Sequence, residues 1–317
     1  MRIVEWNSQG AFRKKIDHVL SLNPDLLIVP ECESETKLSL GVQTPKPNDF
    51  LWYGDSPNKG IGIFSYSDYK FELLPAFNPN FRFILPIKVS NKEGAFLLFA
   101  IWAMDNKEYP EARYIGQIWL ALNFYSSLLS LPTIITGDFN SNKIWDEKER
   151  VGNHTDVVNF LSVKNILSTY HEQEGENQGE ELHPTFHMYR KKERPYHIDY
   201  LFASHQFRRG SSLKLGQYDE WKELSDHVPL IFDTPNPLSD FNIDETFSSL
   251  IIKQLKGLNL DTQNRFDDVI SKLIEESKSI DEFPVDSETI EERKRITRSI
   301  DRLSHIDRMI DKLNKGC

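Results

Sequence analysis

The chain contains 317 residues, of which 39% are hydrophobic and 12% aromatic, enough for one large α/β domain or two domains. Its 38 basic and 48 acidic residues give a net charge of −10, which argues against an architectural DNA-binding protein, because such proteins neutralise phosphates with basic side chains. A nuclease remains compatible with this charge, since a metal ion can supply positive charge locally. The two cysteines exclude a disulfide framework and a cysteine zinc site.

Membrane-directed segments are not recognisable in the sequence. No apolar run approaches the roughly 20 residues that a membrane-spanning helix needs. No signal-peptide pattern precedes the strand-like residues 2–4. We therefore expect a cytoplasmic protein that does not insert into a membrane.

The first hundred residues read mainly as strands. Residues 2–7 alternate in polarity, residues 11–23 have helical spacing, and residues 26–29 form the continuous apolar run of a strand covered on both faces. Residues 34–50 are polar and contain prolines, which predicts a loop. Further strands, separated by turn residues, are predicted at 50–54, 60–66, 71–74, 81–89 and 95–103.

Helical periodicity returns over residues 109–129. A short β-rich run at 133–136 then ends in Gly137, Asp138 and Asn140, so that a carboxylate and a carboxamide lie at the end of a buried strand. A helix near residues 154–165 and an acidic, exposed loop at 172–181 follow. Closing strands are predicted at 185–189, 196–203 and 228–232.

The composition changes at residues 234–237, and no strand pattern follows. Residues 265–278 and 289–315 repeat apolar side chains three and four apart, and Thr289 with Glu292 fits a capping box. We expect a catalytic domain over 1–233 and a C-terminal helical extension over 234–317, most simply a helical hairpin. Its apolar stripe must be buried against the domain, a second copy or a partner protein.

Five short segments place oxygen or imidazole groups at strand ends or just beyond them. Any one of these segments alone is weak evidence for a functional site. They are Trp6-Asn7, Pro30-Glu31-Cys32, Gly137-Asp138-Phe139-Asn140, His197-Ile198-Asp199-Tyr200 and Ser225-Asp226-His227-Val228-Pro229.

In this order, the five segments resemble the endonuclease/exonuclease/phosphatase superfamily, which includes the deoxyribonuclease and abasic-site endonuclease groups. The resemblance covers about residues 1–233 and is supported by the stretches Lys59-Gly60-Ile61-Gly62-Ile63 and Pro184-Thr185-Phe186. It implies an α/β (α+β) fold, a four-layer sandwich of two mixed β-sheets flanked by helices. The predicted C-terminal helices lie outside the resemblance.

The resemblance also implies a metal site. Glu31 would be the principal ligand, with Asn7 beside it and Asp226 completing the acidic site. Oxygen ligands without cysteine and with few histidines suit Mg²⁺ or Mn²⁺.

Four further residues would act on the substrate, again by resemblance. Asp138 would orient or deprotonate the attacking water, and Asn140 would hold a phosphate oxygen. His227 would contact the phosphate or transfer a proton. Asp199 would accept a hydrogen bond from its other ring nitrogen and fix the tautomer.

Trp102 is a departure from the family pattern. Nuclease branches often carry a histidine near the end of the strand that precedes the long helix, and here that strand contains Trp102. A tryptophan cannot protonate a leaving group, although its N–H can donate a hydrogen bond. The general acid is then His227 or a water on the metal.

Further substrate contacts are expected beside this site. Asn153 and His154 either face the groove or only begin a helix, and Tyr196 either stacks on a base or sugar or belongs to the core. Trp102 itself is included as a candidate.

The sequence predicts a divalent-metal-dependent phosphodiester hydrolase, most simply a nuclease acting on DNA or RNA. One alternative is hydrolysis of a small phosphoester, such as a lipid headgroup, inositol phosphate or nucleotide. A second alternative is an interaction protein with a weak or inactive site that works through its helical tail, and Trp102 is the feature that keeps this hypothesis open.

Overall fold

A computed structural model of the chain describes residues 1–107, 113–148 and 150–235, and this part forms a β-sandwich. Its strands are β1 Arg2–Glu5, β2 Leu26–Cys32, β3 Asp49–Ser56, β4 Lys59–Ser65, β5 Lys70–Leu73, β6 Ile84–Asn91, β7 Gly94–Trp102, β8 Thr133–Asp138, β9 Ile166–Ser168, β10 Phe186–His187, β11 Pro195–Tyr196, β12 Asp199–Ser204, β13 Ser212–Leu215 and β14 Leu230–Asp233. Its α-helices are α1 Ile16–Leu20, α2 Glu35–Leu38, α3 Ile115–Phe124, α4 His154–Val163, α5 Thr169–Glu174, α6 His205–Arg208 and α7 Tyr218–Trp221.

The strands form two six-stranded sheets and a small ribbon of β10 and β11. The first sheet has the order β13-β14-β1-β2-β4-β3, and the second has the order β5-β6-β7-β8-β12-β9. Each sheet is mixed, because β1 and β2 pair in parallel in the first, β7 and β8 pair in parallel in the second, and the other pairs are antiparallel.

Three apolar layers hold the sandwich together. The inner faces of the two sheets meet in a buried layer that includes Ile28, Leu98 and Ile134. Helices α3 and α4 cover the outer face of the second sheet, and the segment around α1 with Trp221 of α7 covers that of the first. The resulting order helix, sheet, sheet, helix confirms the predicted four-layer sandwich of two mixed sheets.

Most strands predicted from periodicity are present within a few residues of their predicted ends, as is the helix predicted near 154–165. The helix predicted over 109–129 is present at Ile115–Phe124, and residues 108–112 lie outside the described part. The helix predicted over 11–23 is broken, because Lys15 has a non-helical φ of −125° between a 3₁₀ turn and α1.

Three other local predictions were wrong. The strand predicted at 185–189 is limited to Phe186–His187, because Tyr189 has a φ of 58°. The predicted loop at 34–50 contains α2. The loop predicted as exposed at 172–181 begins inside α5, and its Glu181 side chain is buried, accepting hydrogen bonds from Asn142 at 3.0 Å and pairing with His171 at 3.0 Å.

The predicted C-terminal helices lie outside the described residues, which end at 235. Within the described part, no helix is both long and apolar enough to cross a bilayer.

Gly137 is the next-to-last residue of β8. We expect Gly137→Ala to destabilise the protein by about 3 kcal/mol through overpacking. Gly137 has a φ of +144°, and a Cβ there would lie 1.9 Å from the carbonyl oxygen of Ile101 in the neighbouring strand. Chemical denaturation measures the loss. Gly41→Ala is the control, because its Cβ would meet only Thr44 Oγ1 at 3.5 Å; equal stability of the two variants would contradict the expectation.

Candidate active site

The ends of several strands from both sheets meet on one side of the sandwich. Asn7 lies two residues beyond the end of β1, where Ser8 N still donates to Pro30 O at 3.2 Å in the parallel partner strand. In the second sheet, the antiparallel register places Asp199 opposite Asp138. Directly paired residues on neighbouring strands share a face of the sheet, so the two carboxylates project together.

Asp138 is held by amides from both sheets. Asn7 Nδ2 donates to Asp138 Oδ2 at 2.9 Å across the gap between the sheets. Asn140 donates its backbone N–H to Oδ1 at 2.8 Å and its Nδ2 to Oδ2 at 3.0 Å. Asn140 can do both because its φ of 46° turns the chain back toward the end of β8.

The environment of Asp138 shifts its acidity toward neutral pH. Burial is the largest cause of the raised pKa of Asp138, and the charge of Asp199 adds to it. The charge of His227 and the hydrogen bonds from Asn140 and Asn7 lower this pKa. Together they raise the pKa of Asp138 to about 7. A carboxylate with such a pKa is suited to accept a proton near neutral pH.

His227 and Asp199 form a second buried pair. Asp199 Oδ2 and Oδ1 lie 2.8 and 3.0 Å from His227 Nδ1, which directs Nε2 away from Asp199. Burial alone lowers the pKa of His227, but the charge and hydrogen bond of Asp199, followed by the charges of Asp138 and Asp226, raise it to about 9. The imidazole is therefore positively charged at neutral pH. Its Nε2 lies 3.8 Å from Asp226 Oδ1.

Glu31 reaches the cleft through an irregularity in β2. The register between β2 and β4 shifts between Pro30 and Cys32, and Glu31 in this bulge has a φ of 60°. A bulge re-aims the side chain of its extra residue. The Glu31 carboxylate pairs with Lys59.

Asp226 lies across the cleft from Glu31. Gln9 Nε2 donates to Asp226 Oδ2 at 2.7 Å, and Arg190 Nε donates to Gln9 Oε1 at 2.9 Å. Burial raises the pKa of Asp226, and the charge of Glu31 adds to this effect. The two carboxylates are therefore near enough to repel each other.

The donor chemistry of the cleft fits a hard divalent cation. Glu31, Asp226 and the Asn7 side chain offer oxygen atoms, and the nearby thiol of Cys32 is fully buried with its pKa raised well above the ordinary value by burial. Asp138, Asp199 and His227 form a further group whose ligand atoms lie within 4.8 Å of one another. Oxygen donors of this kind suit Mg²⁺ or Mn²⁺ and not zinc.

The candidate substrate contacts differ in how accessible they are. His154 is buried, with its ring nitrogens 3.3 Å from Ser141 Oγ and 3.0 Å from Gln178 Oε1. Asn153 begins α4, and its Nδ2 donates to the carbonyl groups of Glu147 and Arg150. The polar atoms of both residues are thus used inside the protein.

Tyr196 and Trp102 are placed closer to the cleft. Tyr196 is half-buried, and its ring lies 5.2 Å from that of Trp145, which is 46% exposed. Trp102 pairs with Asp138 in the register of β7 and β8 and packs on Phe83 with ring centroids 4.8 Å apart. It forms a wall of the site.

Sequence reasoning missed Glu5, Gln9 and Trp145. Gln9 lies in a loop and Trp145 in a short 3₁₀ turn, and neither segment has a periodic signal. Glu5 could have been noticed, because it shares the alternation of Ile3 and Asn7 and therefore faces the interior.

Comparison with known proteins identifies the family of this fold. The model of the Endonuclease/Exonuclease/phosphatase family matches residues 4–227. The chain belongs to this family. The matched segment contains Asn7, Glu31, Asp138, Asp199 and His227, and the family consists of hydrolytic phosphoesterases. No curated protein matches the chain.

Solved structures of endonuclease/exonuclease/phosphatase family proteins share the fold. The 3′–5′ exonuclease NExo from Neisseria meningitidis matches with a TM-score of 0.56 and 17% identity over 74% of this chain and 99% of that chain. NExo, described as a 3′ phosphatase bound to a product DNA hairpin, matches with a TM-score of 0.53, 17% identity and the same coverage. An AP endonuclease from Archaeoglobus fulgidus matches with a TM-score of 0.52 and 17% identity over 74% and 99%.

We expect Asp199→Asn to lower the pKa of His227 in the metal-free protein from about 9, because the variant lacks the carboxylate that opposes burial most strongly, while the charges of Asp138 and Asp226 remain. NMR titration of the ring measures the pKa. The folded-state pKa exceeds the unfolded value, so protonated His227 stabilises the fold below pH 6.5, and this contribution is lost as pH rises through 9.

The variant should therefore lack that part of the decline in stability between pH 6.5 and 9. Exposed Asp68→Asn is the control and should leave the His227 titration unchanged. An unchanged pKa in Asp199→Asn would show that the pair does not govern His227.

Proposed function

We propose that this chain hydrolyses phosphodiester bonds in DNA or RNA with the help of a divalent cation, Mg²⁺ or Mn²⁺. The observation that carries the proposal is the convergence of Asp138, held by Asn7 and Asn140, with the Asp199–His227 pair in one cleft. Glu31, Asn7 and Asp226 are the residues that we propose hold the cation. Bound there, it would neutralise charge on the phosphoryl oxygens.

Asp138 is the proposed acceptor for the attacking water. Its two oxygens are fixed by Asn7 and Asn140, so a water in the cleft meets a carboxylate of defined orientation. With its pKa near 7, this carboxylate can take up the proton as the new bond to phosphorus forms. Asn140 Nδ2 donates to both Asp138 Oδ2 and Ala103 O at 3.0 Å, so its two N–H groups orient Asp138 and are not free for the phosphate oxygen expected from the sequence.

His227 is the proposed donor to the phosphate. A pKa of about 9 keeps the ring protonated at neutral pH, and Asp199 holds Nδ1, so Nε2–H is the group available to the substrate. It stabilises negative charge on a phosphoryl oxygen or gives a proton to the leaving oxygen. Trp102 beside Asp138 has no group that can supply this proton, which leaves His227 as the titratable donor.

A nucleic-acid substrate is supported by the surface next to the cleft. Trp145 is exposed and its ring contacts that of Tyr196, which forms an aromatic platform on which a base can stack. The NExo structure bound to a DNA hairpin is a family precedent for such a substrate. Hydrolysis of a small phosphoester is the second candidate, favoured by the net charge of −10.

We expect the protein with Mg²⁺ or Mn²⁺ to nick plasmid DNA or cut an oligonucleotide of DNA or RNA. Asp138→Asn should reduce the rate by roughly 10³-fold or more, because residues of such a site act as a unit. Gel assays with and without a chelator measure the cleavage rate. Asp68→Asn is the control variant.

The substrate panel includes nucleotides, inositol phosphates and lipid headgroups. Cleavage of these alone, lost in Asp138→Asn, would replace the nuclease proposal by the small-phosphoester one. Activity equal in wild type and Asp138→Asn, or none on any substrate, would overturn both.

We expect Trp145→Ala to raise the KM for a single-stranded oligonucleotide by about tenfold with little change in kcat, because a base loses its stacking surface. Ile144→Ala is the matched control, since Ile144 is an exposed neighbour at 56% and makes no ring contact. Steady-state kinetics on the oligonucleotide and on a small chromogenic phosphodiester separate the effects. A loss of kcat on both substrates would mean that Trp145 supports the site instead of binding a base.

A further inference from the structure

Gln9 is an exposed side chain that contacts the acidic side of the cleft. It lies in the loop between β1 and α1, and its Nε2 donates to Asp226 Oδ2 at 2.7 Å. Asp226 is one of the residues proposed to hold the cation, and its side chain is only 15% exposed. A neutral amide orients one oxygen of this carboxylate without forming an ion pair with it. The negative charge of Asp226 therefore stays available to a cation.

The backbone around Gln9 has an unfavourable conformation. Gln9, Gly10 and Ala11 have successive φ angles of 53°, 71° and 51°, in the left-handed region that residues with a Cβ rarely occupy. Lys15 Nζ closes this turn by donating to Ser8 O at 2.5 Å and to Gly10 O at 2.8 Å. Strained conformations of this kind persist only where surrounding contacts hold them, and they are concentrated at functional sites. The turn therefore fixes the direction in which Gln9 projects.

Arg190 holds the oxygen of the Gln9 amide. Its Nε donates to Gln9 Oε1 at 2.9 Å, and its Nη2 donates to the same oxygen. Its Nη1 donates to Glu223 O at 3.0 Å, so the guanidinium is also attached to the segment that follows α7. Because a guanidinium can only donate, the amide oxygen of Gln9 must face Arg190 and its NH₂ group must face Asp226. Arg190 therefore determines which end of the amide meets the carboxylate.

Arg190 belongs to a second strained segment. Tyr189 and Arg190 lie between β10 and β11 and have φ angles of 58° and 55°. Tyr218 Oη donates to Arg190 O at 2.7 Å and so fixes this segment from α7. Gln9 and Arg190 are 181 positions apart in the sequence. Two strained loops from distant parts of the chain therefore meet at one side chain beside Asp226.

We propose that Gln9 is a positioning residue for the cation, because it sets the orientation of Asp226, and that Arg190 acts through Gln9. This inference rests on the proposed function, in which Asp226 is a ligand of the cation. A carboxylate that is oriented before the cation arrives loses less side-chain freedom on binding, so the affinity is higher. Groups that orient metal ligands by hydrogen bonds typically change metal affinity by about 10- to 100-fold. The two strained loops then contribute to cation affinity without contacting the ion.

The test is binding of Mn²⁺ to the full chain, measured by titration calorimetry, with electron paramagnetic resonance to count the bound ions. Gln9→Met keeps the length and the apolar stem of the side chain but removes both polar groups of the amide. It should weaken Mn²⁺ binding by about tenfold. Gln43→Met is the matched control, because Gln43 is also an exposed glutamine and lies outside the cleft, in the turn that follows α2. It should bind Mn²⁺ as the wild type does.

Thermal unfolding in chelator separates positioning from a general loss of structure. Gln9 is exposed, and substitutions of exposed side chains usually change stability little. Gln9→Met should therefore keep the wild-type Tm in chelator and show a smaller rise in Tm when Mn²⁺ is added. A lower Tm in chelator would assign Gln9 a structural role and overturn the inference.

Arg190→Lys tests the role of Arg190 at constant charge. A lysine has no planar fork with which to fix the amide oxygen, so Mn²⁺ binding should weaken several-fold. When Gln9→Met and Arg190→Lys are combined, the second substitution should cause no further loss, because its effect passes through Gln9. Additive losses would overturn the role given to Arg190. Arg209→Lys, at an exposed arginine, is the control.

Asp226→Asn distinguishes failure of this inference from failure of the proposed function. If Asp226→Asn weakens Mn²⁺ binding and Gln9→Met does not, the inference is overturned and the proposed cation site stands. If neither substitution changes Mn²⁺ binding, the proposed cation site is wrong, and so is the inference. Weaker binding in both variants, with no cleavage of any phosphoester by the wild type, would refute the nuclease proposal and leave the positioning role of Gln9 supported.

Discussion

The burial of several acidic side chains around one imidazole is the constraint on which this site depends. Asp138, Asp199 and Glu5 are withdrawn from solvent, and burial together with the charge of Asp199 raises the pKa of Asp138 and that of Glu5. The same charge keeps His227 protonated against the effect of its own burial. A proton acceptor near neutral pH and a charged imidazole are consequences of one electrostatic arrangement.

The backbone supplies that arrangement through departures from regular geometry. Glu31 reaches the cleft from a bulge and Asn140 turns back with a positive φ. Gly137 allows β8 to approach Ile101 more closely than any side chain would permit. The free-energy cost of these backbone conformations is tolerated because the sandwich around them is densely packed.

The four-layer sandwich and the candidate site residues were predicted through the family resemblance, and strand alternation predicted most of the strands and which of their side chains face inward. Ile134 and Asp138 illustrate this, because both belong to β8 and their side chains face the same side of the sheet. The two-residue strand at Phe186 was mispredicted because the conformation of Tyr189 depends on tertiary contacts. Glu181 was placed in an exposed loop because its buried partner Asn142 is distant in sequence.

The bond from Asn7 to Asp138 has a consequence for the time at which the cleft forms. Its two residues are separated by 131 positions, and Ser225 Oγ donates to Asn7 O across 218 positions. A growing or partly unfolded chain can contain every strand of one sheet and still lack the hydrogen bond that joins Asp138 to the other sheet. The cleft is therefore complete only when contacts between residues far apart in the sequence have formed.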